Sequence, residues 1–203
     1  MKLGLAAMIA ATGFALPAAA ECLDETALSR GLTIRYEGGD YTTIRRTGGG
    51  YQLVDEYYSS GDPPYRYRAH RGIYFVEEFE PDANGRPVAG SRLVVEFEVD
   101  PATLPEPAAG VTWQGRTTNV FDDGTTRAED VTIVFEAGPP LRVTGCDYQA
   151  LSSRVRYDWG DEGALSLTYA YLPAIGTAVL LGSQFDGDDS LTFVPLALER
   201  ASK

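Results

Sequence analysis

The sequence predicts an all-β chain, mainly antiparallel: a curved meandering sheet or open half-barrel with one short N-terminal helix. Two patterns carry that expectation. Apolar side chains recur at every second position in run after run, which places one face of each strand in a core and the other in water. Clusters of Gly, Asp, Asn and Pro separate the runs at spacings suited to meandering strands.

Taken in order, the chain opens with Lys2, an apolar stretch "LGLAAMIAATGFAL" and small residues ending "ALPAAA". That order of charge, apolar run and small residues reads as a secretory signal peptide over 1–20, cleaved after Ala20. The run is shorter than the roughly twenty apolar residues that span a bilayer, and no later segment is longer. Next, "DETALSRG" reads as one short helix with Asp24 at the N-cap and Gly31 just past the end. Alternation follows at Leu32–Tyr36, Leu93–Val99, Val131–Glu136, Val155–Trp159 and Leu165–Tyr171. Turn clusters such as "EGGD", "TGGG", "SSGDPP", "PDANGRP", "FDDGT", "AGPP", "WGDEG" and "FDGDD" bring the expected total to about ten or eleven strands. The Pro/Ala-rich segment 101–110 joins two halves. Each half alone would be a thin layer with little core, so 21–203 is expected to be a single antiparallel β domain.

The chain has two cysteines, Cys22 and Cys146, and no C-x-x-C pair. Glu21 precedes Cys22, where lipoprotein processing needs a small residue. Cys22 is therefore expected to pair with Cys146 in a disulfide that ties down the N-terminus of an exported chain.

The formal net charge is −12, and removing the leader with Lys2 makes it one unit more negative. Such a surface repels phosphate backbones and anionic membranes, which excludes nucleic acid as an expected partner. The charge is uneven. Arg30–Arg71 holds seven arginines against five acids, whereas Gly72–Lys203 holds nine basic residues against twenty-one acids.

Catalytic signals are thin, and no catalytic residue, metal or cofactor is assigned. His70 is the single histidine, and Ser91 and Ser183 lack the G-x-S-x-G frame of a nucleophile elbow. Zinc would lack nitrogen and sulfur ligands. Asp122 and Asp123, and Asp186, Asp188 and Asp189, fall where hairpin turns are expected, and turns explain them better than calcium does. Glu77, Glu78 and Glu80 form a carboxylate run compatible with a hydrolase, a weak signal in so acidic a chain.

Two stretches point toward binding. In "YRYRAHR", Tyr65, Tyr67, Ala69 and Arg71 would share one strand face and Arg66, Arg68 and His70 the other. Aromatic and guanidinium groups side by side suit an anionic or sugar-like ligand, or a docking partner, against the plainer expectation of tyrosines that cover the core and arginines that are solvated or paired with the many acids. In "YAYLPAIGTAVLLG", Tyr169, Tyr171, Ile175 and Leu180 are candidates for the floor of an apolar cavity, against the plainer expectation of central core strands. The leading expectation is an exported, periplasmic module that binds or carries a small apolar or lipid-like ligand. The alternatives are an envelope interaction module without a cavity, and a hydrolase using carboxylates or His70.

Overall fold

The computed structural model describes residues 22–201, so the leader read at 1–20 lies outside the described residues. The strands are β1 (Leu32–Tyr36), β2 (Tyr41–Arg46), β3 (Tyr51–Tyr57), β4 (Tyr65–His70), β5 (Tyr74–Phe79), β6 (Leu93–Phe97), β7 (Thr112–Phe121), β8 (Thr126–Ala137), β9 (Leu141–Val143), β10 (Cys146–Tyr148), β11 (Leu151–Asp158), β12 (Ala164–Leu172), β13 (Thr177–Phe185), β14 (Leu191–Thr192) and β15 (Pro195–Arg200). A one-turn helix, α1 (Ala27–Arg30), precedes them.

Thirteen strands form one antiparallel sheet in the order β14-β13-β12-β11-β8-β7-β6-β5-β4-β3-β2-β1-β15, not closed into a barrel; β9 and β10 pair separately. Sequence neighbours pair almost throughout, so short turns alone build the meander. The two edge strands are also consecutive in the chain. Residues 191–192 pair with β13, the Phe193 amide donates to Leu181 O at 2.9 Å, the Glu37 amide donates to Val194 O at 2.9 Å, and β15 runs on beside β1. One segment therefore ties the opposite ends of the sheet together.

The five alternating runs seen in the sequence fall on strands, although Glu98 and Val99 lie past the end of β6 and Trp159 past the end of β11. The strands it did not resolve include the two- and three-residue elements β9, β10 and β14, too short to display a period. The helix differs in detail. Thr26 is the N-cap and makes no side-chain cap bond, while the Asp24 carboxylate accepts the Thr26 amide at 2.9 Å in a turn before the helix. Gly31 follows at φ 99° and ψ 138°, outside the left-handed helical cap conformation but open to glycine.

Between β8 and β11 the chain leaves the sheet as the β9–β10 hairpin and then returns beside the strand it left. The hairpin holds the N-terminal segment. Cys146 is disulfide-bonded to Cys22 across 124 residues, and the Tyr148 hydroxyl accepts the Leu23 amide at 2.9 Å. Leu23, Ala27 and Leu28 are buried with Leu32, Ile44, Val143, Leu172 and Val179 in one apolar cluster. A second cluster gathers Ile73, Tyr74, Ile133, Phe135, Val155 and Tyr171.

Segment 101–110 connects two strands that are immediate neighbours, β6 and β7. It lies against the second cluster, with Leu104 buried and Pro105 O accepting the Tyr74 hydroxyl at 2.7 Å. No helix among the described residues is long and apolar enough to cross a membrane.

Candidate functional site: an interior cavity

The inward-facing side chains fill one end of the curved sheet and leave the other end hollow. Toward the turns after β2, β4, β12 and before β7, the interior is occupied by Phe135, Tyr171, Ile175 and Leu104, all at most 5% exposed. Toward the turns after β1, β3, β5, β7, β11 and β13 lies a cavity of about 420 Å³, lined from nearly every strand of the sheet. That volume falls in the roughly 300–1,000 Å³ range of small-molecule sites.

Apolar walls come from Ile34, Val54, Phe75, Leu93, Val95, Leu165, Leu167 and Leu180. Tyr67, Tyr157, Trp159 and Tyr169 add aromatic surface. Burial raises the hydroxyl pKa values of Tyr67, Tyr157 and Tyr169 well above the ordinary tyrosine value, so these groups stay neutral. Gly72, at φ 70°, is among the lining residues; a Cβ there would meet Gln52 Oε1 at 2.7 Å and Thr177 Oγ1 at 2.8 Å. Those two groups hydrogen-bond to each other at 2.8 Å across the interior.

Two bulges set which residues face the cavity. Between β4 and β5 the register shifts, so that Ala69 opposes Phe75 and Arg68 opposes Glu77, leaving Val76 without a partner. Phe75 and Glu78, three residues apart, therefore both line the cavity. Between β12 and β13 Leu181 is the extra residue, and Leu180 and Ser183 both line the cavity.

Three carboxylates stand in these walls. Glu129 accepts the Thr117 hydroxyl at 2.8 Å, the Asn119 amide at 3.1 Å and the Trp159 indole N–H at 2.6 Å. Glu56 accepts the Tyr58 and Tyr67 hydroxyls at 3.1 and 3.3 Å, and burial raises its pKa. Glu78 has no hydrogen-bond or ion-pair partner among the described residues. Burial pushes its pKa up to about 7; Glu129 and Glu56 add to the shift and Arg127 opposes it. Arg127 lies over the Trp159 ring at 4.4 Å and pairs with Glu162 at 3.3 Å.

Of the apolar candidates named from sequence, Tyr169 and Leu180 line the cavity, whereas Tyr171 and Ile175 sit in the packed interior. The Tyr/Arg stretch divides. Tyr67 lines the cavity, and Tyr65 stacks edge-on against it. Arg66 forks onto Asp55 through Nε and Nη2, the latter at 2.8 Å, and donates to Gly85 O at 3.0 Å. Arg68 covers the Tyr51 ring at 4.1 Å and lies 3.9 Å from Glu77, while Arg71 pairs with Glu106 at 2.7 Å. His70 is buried edge-on to Tyr51, outside the cavity lining, and burial lowers its pKa.

The acidic turns are tied down by hydrogen bonds and an ion pair. Asp123 accepts the Thr125 amide at 2.9 Å, Asp122 the Gly90 amide at 2.8 Å, and Asp186 pairs with Arg156 at 3.2 Å. Among the described residues no group of three or more His, Cys, Asp or Glu side chains is placed to hold a metal ion. Sequence reasoning did not single out Glu56, Asn119, Arg127, Glu129 or Trp159 for the site. A place in the cavity wall is their common feature, and it becomes visible only once the register is known. Comparisons with protein-family models, curated proteins and solved structures give no match to this chain.

Proposed function

We propose that this is an exported binding or carrier module whose curved sheet holds one small, largely apolar ligand. The observation that carries the reading is the cavity of about 420 Å³, left open in a sheet whose other end is packed with side chains of the same inward face. A chain built only for docking has no need of this space; filling it with larger side chains would add burial at about 25 cal/mol per Å². The disulfide supports the exported part of the reading, since such bonds persist outside the reducing cytosol.

Two features weigh against the alternatives. The guanidinium groups of Arg66, Arg68 and Arg71 already meet Asp55, Glu77 and Glu106, which leaves less of a charged face to offer a partner. His70 lies outside the cavity lining and Glu129 already accepts three donors, which suits holding a ligand better than hydrolysing one.

The test is a titration with N-phenyl-1-naphthylamine, a neutral apolar fluorophore. Wild-type protein should bind one equivalent with enhanced emission. Leu167→Trp, which fills the cavity from β12, should lose that binding while keeping its circular dichroism. Equal binding by both proteins would remove the cavity as the site.

A further inference from the structure

The hollow end of the sheet is unusually rich in acceptors and negative charge. Asn119 is only 2% exposed, and its amide nitrogen donates to Glu129. That bond fixes the amide orientation, because the flipped form would set two oxygens against each other. Its Oδ1 is left buried without a hydrogen-bond partner, and Asn119 lines the cavity. Glu78 also lacks a hydrogen-bond or ion-pair partner among the described residues, and it opposes Tyr67 on the adjacent strand, inside the same walls. The one cationic side chain among the described lining residues, Arg127, lies over Trp159 and pairs with Glu162, while its Nε is buried without a hydrogen-bond partner.

The turns around this end continue the pattern. Segments 37–40, 58–64, 80–92, 122–125, 159–163 and 186–190 all lie at this edge of the sheet and hold twelve carboxylates and two arginines. The turns at the opposite edge, 47–50, 71–73, 98–111, 138–150 and 173–176, hold four carboxylates and two arginines. A field of one sign at one edge raises the local concentration of oppositely charged solutes.

We infer that the cavity takes a cationic amphiphile, an apolar chain or ring system ending in a protonated amine, with the ammonium group against the Glu78 carboxylate. This rests on the cavity being a ligand site. The ammonium supplies the donor that the Glu78 carboxylate lacks, and the Tyr157 ring in the same wall is suited to a cation. The tail lies against Leu93, Val95, Leu165 and Leu167.

Three probes with the same tail separate the possibilities: decylamine, decanol and decanoate, titrated calorimetrically at pH 8. Decylamine should bind at least about tenfold more tightly than decanol, and decanoate most weakly. In Glu78→Gln decylamine should fall to the affinity of decanol, and unchanged decanol binding shows that this variant keeps its cavity. Decanol binding as tightly as decylamine to the wild type would overturn the cationic assignment and leave the cavity reading standing. The same assignment fails if Glu78→Gln keeps the full preference for the amine. Binding of none of the three would overturn the ligand-site reading and this inference with it.

Discussion

Phe75 and Glu78 both face the same cavity although they are three residues apart in one strand, because Val76 is the unpaired residue of a bulge. Regular alternation would send one of the two outward. The bulge keeps Glu77 on the outer face, where it meets Arg92 at 2.7 Å, and turns Glu78 inward without a partner. A buried carboxylate of this kind is costly to stability unless a ligand offsets it.

The pH dependence follows from that position. Glu78 titrates at about 7 in the folded chain against an ordinary 4.5, so the native state holds a proton that the unfolded state has released. Stability should therefore fall as pH rises from 4.5 to 7 and level off above. Glu129 and Arg127 on β8, Glu56 on β3, and the neutral Tyr65, Tyr67, Tyr157 and Tyr169 are the groups around it. Glu78→Gln should remove up to about 3 kcal/mol of this loss. Urea unfolding of both proteins at pH 5 and pH 8 checks this; parallel pH profiles would refute it.

Arg66 and Asp55 form a largely buried pair, with side chains 14% and 9% exposed. Arg66→Ala leaves the Asp55 carboxylate buried and alone, and should cost about 3 kcal/mol. The double variant Asp55→Ala/Arg66→Ala should be less destabilised than Arg66→Ala. A double-mutant cycle in chemical denaturation measures the coupling, and strict additivity would mean that the pair contributes nothing.

The Cys22–Cys146 bond closes a loop spanning 124 positions. In the chain-entropy model, its loss costs roughly 4 to 5 kcal/mol at most, through the unfolded state. Cys22→Ser/Cys146→Ser should also expose the N-terminal segment, whose Leu23 and Leu28 belong to the core. Limited proteolysis should cut first before β1 in that variant and elsewhere in the wild type.

The sheet was legible because its long strands alternate cleanly. Leu165, Leu167, Tyr169 and Tyr171 announce β12 and its inward face without any structure. The cavity was only half legible. Tyr169 and Leu180 were visible as apolar residues in an apolar stretch, but nothing local separates them from Tyr171, which packs in the filled end. The carboxylates were harder still. Glu78 stood beside Glu77 and Glu80 in an acidic run, and its inward turn depends on a bulge defined by pairing with β4. Glu129 and Asn119 come together across the β7–β8 ladder, a relation that register alone creates.

The central claim is that the hollow end of the sheet is a ligand site, and methyl-resolved NMR with added decanol tests it most directly. The account predicts shifts concentrated at Leu93, Val95, Leu165, Leu167 and Leu180, with Leu172 and Val179 in the packed core unmoved. Shifts confined to the outer-face Val94 and the exposed Leu196, or no shifts at saturating decanol, would contradict it.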